Sequence, residues 1–224
     1  MNYLRPVIGR VNLTNCVHSY AKPPRTLITG GLGQLGTALA TRLREKYGRD
    51  SVILTDVKKP SHKVYSEGPY AYINILNYYE IESMVVNEGI DWIVNYSALL
   101  SAAAEANVSV AMDINMKGFE NVLNVAKAHD LRVFCPSTIG AFGPTSPRKK
   151  TPDLTIQRPK TVYGVTKVYM ELLGEVSSSA FIYGNVVLLI CEVVKVFVCV
   201  SACVSVCVSA CVSVCVSTCK HNIS

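Results

Sequence analysis

The chain has 224 residues, 50% of them hydrophobic and 17% charged, with a formal net charge of +6. That suffices for one sizeable domain with extensions. No basic stripe with interleaved aromatics stands in it, which argues against nucleic acid as a partner, and seven of the nine cysteines follow residue 190, which argues against a secreted disulfide framework.

Residues 1–24 contain Arg5, Arg10 and Lys22 with Ser, Thr and Asn, and the first acid of the chain is Glu45. That composition suits a mitochondrial targeting segment, and a leader without function fits it equally. The continuous apolar stretch of a secretory signal is missing. Residues 25–29 (RTLIT) are a short apolar run ending in glycines, a buried-strand signal. Residues 33–47 carry Leu35, Leu39, Ala40 and Leu43 at helical spacing. Residues 51–56 (SVILTD) form a second strand. A loop with Pro60, Gly68 and Pro69 leads to a short third strand, 70–73. Residues 77–88 are helical, with Ile81, Met84 and Val85 on one face. A fourth strand covers 91–96 (DWIVNY). Residues 104–129 read as one long helix, with Val108, Ala111, Met112, Asn115, Phe119, Val122, Leu123 and Ala126 near a 3.6 period. A fifth strand covers 132–136. Residues 143–160 are a polar loop punctuated by four prolines, and 161–175 are a further helix.

Strands alternating with helices predict an α/β fold, a doubly wound parallel sheet in the order 3-2-1-4-5. From residue 176 the pattern fails. The end of the chain, VCVSACVSVCVSACVSVCVSTC, repeats every eight residues and spaces Cys199, Cys203, Cys207, Cys211, Cys215 and Cys219 by four. It is low-complexity sequence. Six identical steps do not close a four-ligand site, so no metal is expected. The uncharged run is long enough to span a bilayer, but its Ser content and unbroken alternation argue against a membrane partner. Alternating Val and Cys also result from translating a GT dinucleotide repeat.

The strongest local signal is TGGLGQLG, between the first strand and the helix after it. Gly30, Gly33 and Gly36, with Gly31 added, suit a tight turn, a close approach of backbone to pyrophosphate, and close packing of helix on strand. The helix N-terminus adds unpaired N–H groups and partial positive charge. Leu32, Gln34 and Leu35 complete this candidate phosphate loop. Asp56 ends the second strand 20 residues after Gly36. A carboxylate there accepts from both ribose hydroxyls and repels a 2′-phosphate, which favours NAD over NADP. Val57 and Lys58 follow it; Lys58 and Lys59 are cations that leave NADP open.

Tyr163-Gly-Val-Thr-Lys167 places a phenol and an ammonium on one helical face. Free Tyr titrates near 10, too high for a base at neutral pH, and the reading assigns Lys167 to lower it. Ser137 and Thr138 follow the fifth strand, where open α/β sheets place ligands. A hydroxyl there polarises a substrate oxygen while Tyr163 handles the proton.

With the stretches LITGGLGQLG, NYSALLSAAAEANV, PSTIGAFGPTSPR and PDLTIQRPKTVYGVTK, residues 25–175 resemble the extended short-chain dehydrogenase/reductase family, in its branch that oxidises L-threonine. The resemblance implies an NAD-binding Rossmann fold and oxidation of L-threonine at its β-carbon to 2-amino-3-oxobutanoate. Tyr163 would be the general base, and Lys167 would orient the cofactor. Thr138, with Ser137 beside it, matches the hydroxyl position. Asn74 and Ile75 match the adenine-side loop, and Ser97, Ala98 and Leu99 line the cofactor. Arg148 is implied as a contact to the substrate carboxylate. The resemblance also implies a mitochondrial, matrix location, and a homodimer is an open expectation. In that family the chain continues through a sixth strand and a C-terminal substrate domain. Nothing after about residue 175 resembles it, so weak or absent threonine oxidation is expected, with NAD affinity able to survive. A fragment that at most binds NAD and a sugar-nucleotide epimerase or other extended reductase are the alternatives.

Overall fold

The computed structural model describes residues 23–147, 152 and 155–180. Five parallel strands form one sheet: β1 (Thr26–Thr29), β2 (Val52–Asp56), β3 (Tyr70–Tyr72), β4 (Trp92–Asn95) and β5 (Arg132–Phe134). Their order is β3-β2-β1-β4-β5, as the alternation of apolar runs predicts. Thr29 lies level with Thr55 on one side and Asn95 on the other. The C-terminal ends of β1 and β4 therefore meet where the strand order reverses, the place at which such sheets open a ligand crevice.

The sheet is buried on both faces, which is why β1, β2 and β4 read as nearly continuous apolar runs. Period-two alternation sends Leu27, Ile53, Ile93 and Val133 to one face. There they meet α3 (Tyr78–Glu88) through Ile81 and Val85, and α6 (Gly118–Ala128) through Val122, Val125 and Ala126. Ile28, Val52, Leu54 and Val94 point the other way, onto Leu39, Ala40 and Leu43 of α1 (Gln34–Tyr47). Phe119, Leu123, Cys135 and Met170 form a third cluster that joins α6 to α7 (Val162–Ala180).

Three elements depart from the sequence reading. The stretch before β3 contains a helix, α2 (His62–Glu67), started by Ser61 Oγ accepting from the Val64 amide at 3.4 Å. Its six residues are too few to show a hydrophobic period. The single long helix expected over 104–129 is instead a broken series. It begins earlier as α4 (Ser101–Ala106), breaks at Asn107 with φ −139° and ψ 73°, and resumes as α5 (Val108–Met112). A π turn, Asp113–Lys117, then joins α5 to α6. Finally, α7 does not stop at residue 175 but runs through Ala180. The expected leader is outside the described residues up to residue 22, and so is the repeat from residue 181. Among the described residues, no helix is long and apolar enough to cross a membrane.

Candidate functional site

The loop between β1 and α1 is shaped by two glycines whose places a side chain cannot share. Gly30 has φ +61°, and a Cβ on it would lie 2.7 Å from the Ser97 amide nitrogen. A Cβ on Gly36 would lie 2.6 Å from Gly31 O, so helix and loop touch backbone to backbone. Gly33 differs. Its φ is −69°, and the nearest atom to an added Cβ is Gly30 O at 3.3 Å. Little in the chain itself demands glycine there, and the residue is exposed. Gly31 is buried and donates its N–H to Thr55 O at 2.8 Å. The Thr37 N–H to Gly33 O bond opens α1, so the amides of Gln34, Leu35 and Gly36 lead its positive end. No acid stands in that first turn.

Asp56 closes the loop from the side. Its Oδ2 accepts from the Leu32 amide at 3.2 Å and its Oδ1 from the Lys58 amide at 3.2 Å. A carboxylate has about four lone-pair sites, so each oxygen keeps capacity for a ribose hydroxyl. Val57 and Lys58 are exposed beside it. These residues fit a dinucleotide: a place at Gly33 that a side chain would fill, a helix end without an acid, and a carboxylate at the end of β2.

The other two expected cofactor loops are pinned by amide side chains. After β3, the Asn74 amide donates to Glu80 Oε2 at 2.7 Å, and Asn74 Oδ1 accepts from the Leu76 amide at 3.0 Å. Ile75 is buried, and its carbonyl accepts from Asn121 Nδ2 at 3.1 Å. After β4, Ser97 and Ala98 are half-buried, and the Ser97 amide donates to Asn95 Oδ1 at 3.2 Å. Asn95 Oδ1 also accepts from Thr29 Oγ1 at 2.7 Å, across the switch point. Leu99 is clamped by Asn115: its amide donates to Oδ1 at 2.7 Å, and its carbonyl accepts from Nδ2 at 3.1 Å. Asn115 Nδ2 also donates to Thr166 Oγ1 at 3.0 Å, and Thr166 Oγ1 donates to Tyr163 O at 2.8 Å. The π turn thus ties the β4 loop to the helix that carries Tyr163.

Tyr163 and Lys167 stand one turn apart on α7. The Lys167 side chain is buried, donates from Nζ to Pro136 O at 2.9 Å, and lies 5.7 Å from the centre of the Tyr163 ring. Two features differ from the sequence reading. Burial pushes the Tyr163 phenol above its ordinary value, the nearby Cys135 pushes it further, and the hydrogen bond with Thr138 works against both. Lys167, assigned to lower it, is not among these causes, and desolvation sets the direction. The two neighbouring hydroxyls also part company. Thr138 faces Tyr163 and accepts from the Gly140 amide at 3.1 Å, whereas Ser137 donates to Glu171 Oε1. Arg148 lies outside the described residues.

Asn95, Asn115 and Glu171 were not among the expected site residues. Each is a polar side chain on a face that the period marks as buried, and each is at most 4% exposed. That contradiction between residue type and period is the signal that would have found them. Among the described residues, no group of three His, Cys, Asp or Glu side chains stands together to hold a metal.

The family model described as the NAD dependent epimerase/dehydratase family matches residues 26–194, past residue 175 where the sequence reading ends the resemblance. Mitochondrial L-threonine 3-dehydrogenase of Sus scrofa is 55% identical over 171 residues, 76% of this chain and 46% of that protein. The protein named inactive L-threonine 3-dehydrogenase, mitochondrial, of Homo sapiens is 53% identical over 177 residues, 79% of this chain and 77% of that protein. The solved L-threonine dehydrogenase of Clostridium difficile superposes with a TM-score of 0.72 at 36% identity, over 75% of this chain and 53% of that one. The chain thus spans about half the length of the pig protein and of the solved structure.

Proposed function

The chain belongs to the NAD dependent epimerase/dehydratase family, among its L-threonine 3-dehydrogenases, and on that premise we propose that it serves the NAD-dependent oxidation of L-threonine to 2-amino-3-oxobutanoate. The observation that carries this reading is the Thr138–Tyr163–Lys167 arrangement, set at the same sheet end as the glycine loop. When bound, NAD supplies the hydride acceptor for the β-carbon. The amides leading α1 and the gap at Gly33 would hold the pyrophosphate, and Asp56 would hold the adenosine ribose. Asn74, Ile75, Ser97, Ala98 and Leu99 would flank the rest. Thr138 would orient the substrate hydroxyl and favour the phenolate, Tyr163 Oη would take the proton, and buried Lys167 would hold the nicotinamide ribose. Ser137 supports Thr138 from behind, and Arg148 would meet the substrate carboxylate.

The acid-free leader and the mitochondrial names of the relatives support a place in the mitochondrion, in the matrix. Val108 and Met112 of α5 and Val165, Leu172 and Val176 of α7 are exposed apolar side chains on two helices in contact, and they suit a second copy in a homodimer. A second reading, a module that binds NAD without turnover, is favoured by the coverage of the human protein named inactive. Purified chain mixed with L-threonine and NAD separates the two. The enzyme reading expects L-threonine-dependent NADH absorbance that disappears in Tyr163→Phe. NADH binding with no such absorbance would select the second reading.

A further inference from the structure

Glu171 sits eight residues after Tyr163 and four after Lys167, on the same face of α7. It is 4% exposed, yet it carries a carboxylate, and both of its oxygens are used. Oε1 accepts from Ser137 Oγ, at the exit of β5. Oε2 accepts from Gln157 Nε2 at 2.6 Å, in the strand of loop that leads into α7. One side chain therefore holds the two stretches of chain that end at Thr138 and at Tyr163. The chain just beyond Thr138 also touches the loop that leads to Tyr163: a Cβ on Gly143 would lie 1.9 Å from Arg158 O.

We propose that Glu171 is a positioning residue: by gripping Ser137 and Gln157 together, it turns the Ser137 hydroxyl inward and leaves Thr138 alone to face Tyr163. The grip needs an acceptor at each oxygen, which a carboxylate provides and a protonated carboxyl or an amide provides only in part. Burial of a charged group is costly unless its hydrogen bonds are made, so a carboxylate at this depth marks a place where the bonds matter. Burial also raises the Glu171 carboxyl above its ordinary value, with the Gln157 bond opposing that and Glu175 adding to it. The cost of the charge is thus visible in its protonation as well as in its depth.

This assignment rests on the proton-transfer role proposed for Tyr163, but its test does not need turnover. The Tyr163 phenol is titrated by ultraviolet absorbance, as the difference between each chain and its Tyr163→Phe partner. Loss of the anion alone would move that titration down or leave it in place, because a negative charge disfavours the phenolate. Loss of the grip frees Ser137, loosens Thr138 and removes the bond that favours the phenolate. Glu171→Ala should therefore move the titration upward by about half a pH unit or more. Trypsin cleavage after exposed Lys160 should rise by about tenfold as the loop opens. Glu171→Gln keeps the shape and one acceptor, so it should fall between the wild type and Glu171→Ala, and it serves if the alanine variant fails to fold. A folded variant with an unmoved or lowered titration and unchanged cleavage overturns the proposal. NADH titration of the wild type runs in parallel: its failure would sink the dinucleotide reading without touching the titration result.

Discussion

Gly30 and Gly33 are three residues apart and answer to different constraints. The first is required by the fold, through its left-handed backbone and the close pass of the β4 exit. Gly30→Ala should therefore cost about 2 kcal/mol or more of folding stability. Gly33→Ala should cost about 1 kcal/mol or less in denaturant melts, because its Cβ meets one atom, Gly30 O at 3.3 Å, which must give by a few tenths of an ångström. NADH titration of the same two proteins should show the opposite ranking of direct effect, with the folded Gly33 variant losing affinity. Asn115 presents another kind of constraint. It fills both hydrogen-bonding groups of Leu99 and reaches Thr166 from a fully buried position. Asn115→Ala should lower the unfolding free energy by about 2–4 kcal/mol, since it strands the half-buried N–H and C=O of Leu99 and leaves the buried Thr166 hydroxyl without its donor. A loss below about 0.5 kcal/mol would mean that the clamp contributes nothing.

At the scale of elements, α6 and α7 are joined by Tyr169, whose hydroxyl donates to Glu120. Burial first, and that bond second, push the phenol up to about 12. An unfolded tyrosine releases its proton near 10. Between these values the folded chain holds a proton that the unfolded chain has lost, so stability falls as pH rises through that window. Tyr169→Phe should remove this part of the decline, read as a flatter loss of melting temperature from pH 10 to 12. The elements that sequence period revealed were those with long apolar stripes: α1, α3 and every strand. The breaks were hidden. Val108 and Met112 fit a 3.6 period with Ala111, Asn115 and Phe119, so the period runs on across the breaks, yet the fold leaves those two exposed and buries the other three. The end of α7 was hidden for another reason: Ser177 and its neighbours read as loop formers, yet Ser177 Oγ returns its bond to Leu173 O at 2.7 Å and stays helical.

At the scale of the molecule, the order of the sheet was legible because parallel strands with helical crossovers leave few ways to wrap. The side chains proposed to react were legible too, since Tyr163, Lys167 and Thr138 sit in short spacings at element ends. Their support was not. Asn95 acts across 40 and 66 residues of sequence, Asn115 across 16 and 51, and Glu171 across 14 and 34, and no local spacing encodes such partners. The direction of the Tyr163 shift was missed for a related reason, because burial is a property of the packed whole. The fold brings the ends of β1 and β4 side by side where the strand order reverses, with the glycine loop of α1 packed against the exit of β4. The most direct test is a fluorescence titration of NADH into the purified chain and into Gly33→Val. The wild type should saturate at one NADH per chain, and the variant should lose binding while keeping the far-ultraviolet circular dichroism of the wild type. A folded wild type without saturable binding, or a variant that binds undiminished, would contradict a dinucleotide seated on this loop.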